Sequence, residues 1–188
     1  IKTKYRKSIL GVFWTILNPL FMMVVLSVVF SNMFKFDVEY FPVYLLSGQL
    51  IFNFYNEATT NAMGAIVANG PLIKKIYVPK YMFVLSRIFS SSINLLASFT
   101  AMIFVMLAMR VELHYTVLLA PIPLLFIVFF SLGVGLILSA ITVKFRDIMH
   151  LYSVFVTALM YLTPVIYPMS ILPEWLKKIV LLNPITNI

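Results

Sequence analysis

Gln49, Asn53, Asn56 and Thr60 are spaced four, three and four residues apart, so an α-helix would carry them on one face. Amides and hydroxyls in such a row can glue one helix to another or wet a path for a polar cargo. Both uses fit the spacing. Glu57 falls in the same stretch. A bare carboxylate at the centre of a bilayer costs about 2.5 kcal/mol or more, so Glu57 needs a partner or a place near the inner end. Bond-making chemistry is poorly supported. No H-E-x-x-H, no G-x-x-x-x-G-K-[ST] phosphate loop and no carboxylate pair within a hydrophobic segment occurs. With no Cys, there is no thiolate nucleophile and no Cys-ligated metal. The chain is therefore not expected to be an enzyme or to bind a metal or cofactor. If ATP drives it, another subunit holds the nucleotide and its Mg.

The elements that must position these residues follow from composition. Of 188 residues, 62% are hydrophobic and 11% charged, against about 25% charged in ordinary soluble domains. A soluble fold lacks the surface charge it needs. Five hydrophobic segments approach the roughly 20 residues that cross a bilayer core: 9–33, 42–67, 84–109, 116–143 and 148–166. The fold class is an all-α polytopic transmembrane bundle. Pro19 sits inside the first segment, and Pro164 and Pro168 close the fifth.

If the segments alternate across the membrane, Lys2, Lys4, Arg6, Lys7, Lys74, Lys75, Lys80, Arg87, Lys144 and Arg146 fall on one side. The other side receives only Lys35, Arg110, Lys177 and Lys178. Cations gather in cytoplasmic loops, so the first side, with the N-terminus, is inside. The net charge of +8 is then a topology signal, and no nucleic-acid partner is needed. His114 and His150 fall on opposite faces and share no site. The first hydrophobic run is too long for a signal peptide and no A-x-A site follows it. The sequence lacks an initiator Met and stops just past an outer segment. It is expected to be a single domain, 1–188, cut at both ends. No internal repeat appears.

Asn69-Gly70-Pro71 is a helix stop. The inner segment after it, 72–81, mixes apolar residues with three lysines, as a short amphipathic helix in the interface would. It reads either as an anchor or as a docking surface. The outer segment 167–183 is amphipathic around Trp175, placed as an interfacial belt residue would be.

The order of motifs resembles the permeases of polysaccharide-exporting ABC transporters, the O-antigen, capsule and teichoic-acid exporters of the type-2 ABC exporter superfamily. The resemblance rests on Tyr5-Arg6-Lys7-Ser8-Ile9-Leu10-Gly11-Val12-Phe13-Trp14 leading to Asn18-Pro19. It continues through Asn69-Gly70-Pro71-Leu72-Ile73-Lys74-Lys75 with Tyr77-Val78-Pro79, and through Phe145-Arg146-Asp147. Leu162-Thr163-Pro164-Val165-Ile166-Tyr167-Pro168 and Asn183-Pro184 complete it, so essentially the whole chain is covered.

The resemblance implies a six-span permease, of which five spans lie here. It implies a homodimer joined to two ATPase subunits in the cytoplasmic (inner) membrane of a bacterium or archaeon, exporting a lipid-linked glycan. It maps ATPase coupling onto Leu72, Ile73, Lys74, Lys75 and Tyr77, with Arg146 and Asp147 as a second inner contact. It maps outer gate helices onto the segment holding Pro168 and Trp175. A lipid pyrophosphate would suit Arg6, Lys7 and Arg87 near the inner interface, although simple anchoring explains those cations equally well. Sugars stack their C–H faces on aromatic rings, so Phe21, Tyr152 and Phe155 are candidates to line the path with Gln49, Asn53 and Asn56. Lipid-facing or packing roles fit the same aromatics. Two other readings stay open: a drug or antibiotic permease of the same superfamily, and a membrane-embedded glycan or lipid transferase.

Overall fold

A computed structural model describes residues 14–34, 40–111 and 115–187. Among them there are helices and turns but no strand. The long helices are α1 (Trp14–Phe34), α2 (Phe41–Ala68), α4 (Tyr81–Ala108), α5 (Pro121–Lys144) and α6 (Ile148–Leu162), with one short turn, α3 (Gly70–Ile73), between the second and fourth. Two further short helices, α7 (Glu174–Leu181) and α8 (Pro184–Asn187), follow α6. By length and composition, α4 and α5 can each cross a bilayer. Shorter apolar stretches fill α1 over Ile16–Val29 and α6. Exposed Phe89, Leu96 and Phe104 on α4, and Phe126, Phe129 and Ile137 on α5, give those helices lipid-compatible outer faces.

Proline sets several boundaries. Pro42 enters the first turn of α2, where its missing N–H costs nothing. The fourth hydrophobic segment is helical from Pro121 rather than from 116, and Tyr115–Leu119 forms a 3-10 turn. The fifth, expected to run to 166, stops at Leu162. Thr163 precedes Pro164 and takes the extended φ −100, ψ 131 that a following proline imposes. At 15 residues, α6 spans about 22 Å, less than the roughly 30 Å hydrocarbon core. The inner segment 72–81 is not the expected amphipathic helix. Its helical residues are Leu72 and Ile73 at the end of α3 and Tyr81 at the start of α4, and the chain from Lys74 to Lys80 turns irregularly through β-branched Ile76 and Val78 to Pro79.

The α4 C-terminus closes in a Schellman arrangement: Val111 N bonds Met106 O at 3.0 Å and Arg110 N bonds Leu107 O at 3.2 Å. Arg110 takes the left-handed φ of 54 that this requires.

The core forms around α2, which touches α1, α4, α5 and α6. Lipid tails are as apolar as the side chains, so helices in a membrane associate by close packing rather than by escape from water. The contact between α2 and α5 uses small residues for this. Ala58, Ala62 and Ala65 are buried on α2, opposite Ser131, Gly135 and Ser139 on α5. A Cβ on Gly135 would stand 2.8 Å from Ala62 Cβ and 3.2 Å from Ile88 Cδ1. Only glycine admits that approach. The hydroxyls of Ser139 and Thr142 bond back to Leu136 O and Leu138 O at 2.8 and 2.7 Å, which satisfies them inside their own helix.

Candidate functional site

A cavity of about 310 Å³ opens between α1, α2 and α4. Gln49, Asn53 and Glu57 of α2 face Ser91, Asn94 and Ser98 of α4 across it. Trp14 and Asn18 of α1 close its third side. Asn94 Nδ2 donates to Glu57 Oε1 at 2.7 Å, so the carboxylate is paired as hydrocarbon surroundings demand. That bond also fixes the amide's orientation, because a carboxylate oxygen accepts and Asn94 Oδ1 must then point elsewhere. Asn94 Oδ1 and Gln49 Oε1 are both buried and lack a hydrogen-bond partner among the described residues. These two oxygens lie sealed in the cavity wall, and the amide the cavity exposes is that of Asn53. Water and sugar hydroxyls both answer that chemistry.

The polar face of α2 is turned relative to the sequence reading. Gln49 and Asn53 line the cavity, but Asn56 does not; at about 100° per residue it is swung away from Glu57. Asn56 is exposed, and its Oδ1 accepts from Thr60 Oγ1 at 3.3 Å.

Of the three aromatic candidates, Tyr152 and Phe155 pack ring to ring on α6 with centroids 6.1 Å apart, whereas Phe21 faces outward on α1. Phe21 is 55% exposed on the outside of α1, while its neighbour Met22 reaches the cavity wall. Tyr152 is buried in the seam between α6 and α2, where its hydroxyl donates to Thr59 Oγ1 at 2.6 Å. Thr59 in turn donates to Tyr55 O at 2.7 Å. Phe155 lines a separate cavity of about 270 Å³ with Tyr55, Phe130 and Ile185, between α6 and the outer segment.

At one end of the bundle a wider cavity of about 700 Å³ lies between the end of α2, α3, the start of α4 and the end of α5. Ile73, Lys74, Lys75 and Arg146 meet on its wall, joined by Lys80. Of the other coupling candidates, Leu72 and Asp147 are exposed outside this wall. Tyr77 stands fully in the open, 101% exposed. Arg87 is exposed on α4 and lines neither cavity. Arg6 and Lys7 lie outside the described residues.

The opposite end is tied to the outer segment. The Tyr44 hydroxyl bridges the carbonyl oxygens of Pro164 and Tyr167, at 2.7 and 2.9 Å. Asn183 Nδ2 donates to Thr163 Oγ1 at 2.9 Å, fastening the chain after α7 to the end of α6. Burial pushes the Tyr167 phenol above its usual pKa, and it donates to Tyr161 O. Pro168 is half-buried here, and Trp175 projects from α7 at 66% exposure.

Ser91, Asn94 and Ser98 were not singled out from sequence, although their spacing of three and four is the same one-face signal that Gln49 and Asn53 gave. They sit in an apolar run where small hydroxyls pass as filler.

Residues 1–188 match the family described as ABC-2 type transporter. The chain belongs to the ABC-2 type transporter family. An O-antigen export system permease protein of Myxococcus xanthus is 30% identical over the whole of this ABC-2 chain and 73% of its own length. A protein of the same description from Klebsiella pneumoniae is 26% identical, again over all of this chain and 73% of its own. The polysialic acid transport protein KpsM of Escherichia coli is 23% identical over all of this chain and 74% of its own. An ABC-2 transporter chain is a membrane component of a transport system, which fits its apolar helices.

Proposed function

We propose that this chain is the permease subunit of an ABC exporter that moves a lipid-linked polysaccharide outward across the cytoplasmic membrane. The observation that carries the reading is similarity, over the whole of this chain, to proteins named for O-antigen export, polysialic acid transport and capsule polysaccharide export in several organisms. Two permease copies enclose the path, and two ATPase subunits supply the ATP, the Mg site and the stroke. The lysine-rich end carrying α3 faces the cytosol, as the positive-inside distribution supports. There Leu72 and Tyr77, standing clear of the bundle, offer apolar contacts to the ATPase, with Lys74, Lys75, Arg146 and Asp147 as charged partners. Motion received at α3 passes directly into α2 and α4, the two helices it joins.

Those same helices hold the polar cavity. Its exposed amide on Asn53, with Gln49 and Asn94 in the wall behind it, suits sugar hydroxyls and their water, and Phe21 and Phe155 offer stacking surfaces on exposed faces. Tyr152 acts from behind, holding α6 to α2. Arg87, with Arg6 and Lys7, meets the lipid pyrophosphate at the inner interface. Pro168 and Trp175 belong to an outer gate fastened by Tyr44. Deleting the gene tests the reading: surface polysaccharide should vanish while lipid-linked polymer accumulates inside. Normal surface polymer with lost resistance to a drug would transfer the chain to the drug-exporting branch.

A further inference from the structure

The cavity at the α3 end has a composition that ATPase docking leaves unexplained. Lys74, Lys75 and Lys80 of the α3–α4 connection and Arg146 after α5 converge on it, and no acidic side chain shares its wall. None of these cations makes an ion pair among the described residues. Beneath them the wall is apolar, made by Ile66 and Val67 at the end of α2, Ile73 of α3, and Val143 at the end of α5. The four cations are exposed to solvent and concentrate positive potential at the mouth of the cavity, which attracts an anion. An apolar floor under a cationic rim, at a helix-bundle end, matches one ligand chemistry: a phosphate head joined to hydrocarbon.

We propose that this cavity is a binding site for an anionic phospholipid of the inner leaflet, phosphate between Lys74, Lys80 and Arg146, glycerol and first methylenes against Ile66, Val67 and Val143. The volume of about 700 Å³ exceeds what a lone phosphate would fill and suits a headgroup with the top of its chains. The lipid bridges the end of α2, the start of α4 and the end of α5, so it braces the joint at which α3 would receive motion. The inference rests on the orientation proposed above, which puts this end at the cytoplasmic leaflet.

The test uses the full permease, purified in a neutral detergent and titrated with phosphatidylglycerol or with phosphatidylcholine of the same acyl chains, read by native mass spectrometry. Phosphatidylglycerol should bind at least tenfold tighter. Lys80→Gln with Arg146→Gln should weaken it roughly 20- to 30-fold, at about fivefold per cation, and leave phosphatidylcholine unchanged. Val143→Asp, on the apolar wall, should weaken it as well. Equal affinity for the two lipids, or unchanged phosphatidylglycerol binding in the double variant, overturns the proposal. So does glycerophosphoglycerol binding as tightly as the lipid, because the apolar floor would then contribute nothing. ATPase copurification is measured in parallel with Lys80→Gln, a residue outside the coupling set. Loss of ATPase with lipid binding intact would make the cavity a protein-docking surface and end the lipid assignment. Loss of lipid with ATPase retained supports it, and leaves the exporter reading to its own test.

Discussion

Asn94 of α4 donates a 2.7 Å hydrogen bond to the carboxylate of Glu57 on α2. The pair joins the two helices that leave and enter the α3 turn, and it does so on the wall of the polar cavity. An acid in this setting is costly unless partnered, so the bond both fixes the rotational phase of α2 against α4 and makes the cavity's chemistry tolerable. Hydrogen bonds between membrane helices average about 0.6 kcal/mol and reach about 1.7. Asn94→Ala should therefore destabilise the bundle by about 0.6–1.7 kcal/mol, and Glu57→Ala with Asn94→Ala should cost less than the two single changes summed. Unfolding of the four proteins in a double-mutant cycle measures the coupling; additive costs would mean that the bond does not link the helices.

Gly135 and Gly133 are two residues apart on α5 and should answer oppositely to the same change. A Cβ at 135 meets Ala62 Cβ at 2.8 Å, whereas a Cβ at 133 meets nothing within 4 Å. Gly135→Ala should destabilise by about 1–3 kcal/mol. Gly133→Ala should be neutral or gain up to about 1 kcal/mol from helix propensity. Ala62→Gly should relieve part of the Gly135→Ala cost, which thermal unfolding of the single and paired variants would reveal.

Tyr44→Phe removes the donor shared by Pro164 and Tyr167 without changing the ring that fills the space. The expected loss is about 0.5–1.5 kcal/mol, confined to the outer segment. Hydrogen exchange should quicken over Val165–Val180 and stay unchanged in α4 and α5. Uniform quickening would show that the bond supports the whole bundle rather than a local fastening.

How far the sequence carried depends on the kind of information each feature needs. The all-α class and the approximate α2 and α4 boundaries follow from apolar run length and from Pro42, signals that are local. The early end of α6 was equally local, since Thr163 before Pro164 has restricted backbone whatever surrounds it. The cavity was only half legible. Gln49 and Asn53 declare a polar face, but which part of it meets a neighbour depends on how α2 is rotated against α4. That rotation is set by contacts such as Asn94 against Glu57, far apart in sequence. Asn56 was lost for this reason and Asn94 gained. Tyr152 and Phe155, three apart on one helix, do meet, but Phe21 lies on the outside of α1, because ring spacing along a helix says nothing about which helix lies opposite.

Lys74→Glu with Lys75→Glu reverses two charges on exposed residues outside the packed core. The bundle should fold with unchanged thermal stability, while copurification of the ATPase subunit falls at least tenfold. Full ATPase recovery with undiminished export would remove both lysines from coupling.

Export itself is tested most directly in inside-out membrane vesicles carrying the permease, its ATPase and radiolabelled lipid-linked polysaccharide on the outer, cytoplasmic face. On adding ATP, the polymer should pass into the lumen and become resistant to an added glycan-cleaving enzyme. The protection should need both subunits and disappear with Lys74→Glu and Lys75→Glu. Polymer that stays fully cleavable while the assembled transporter hydrolyses ATP would contradict polysaccharide export by this chain.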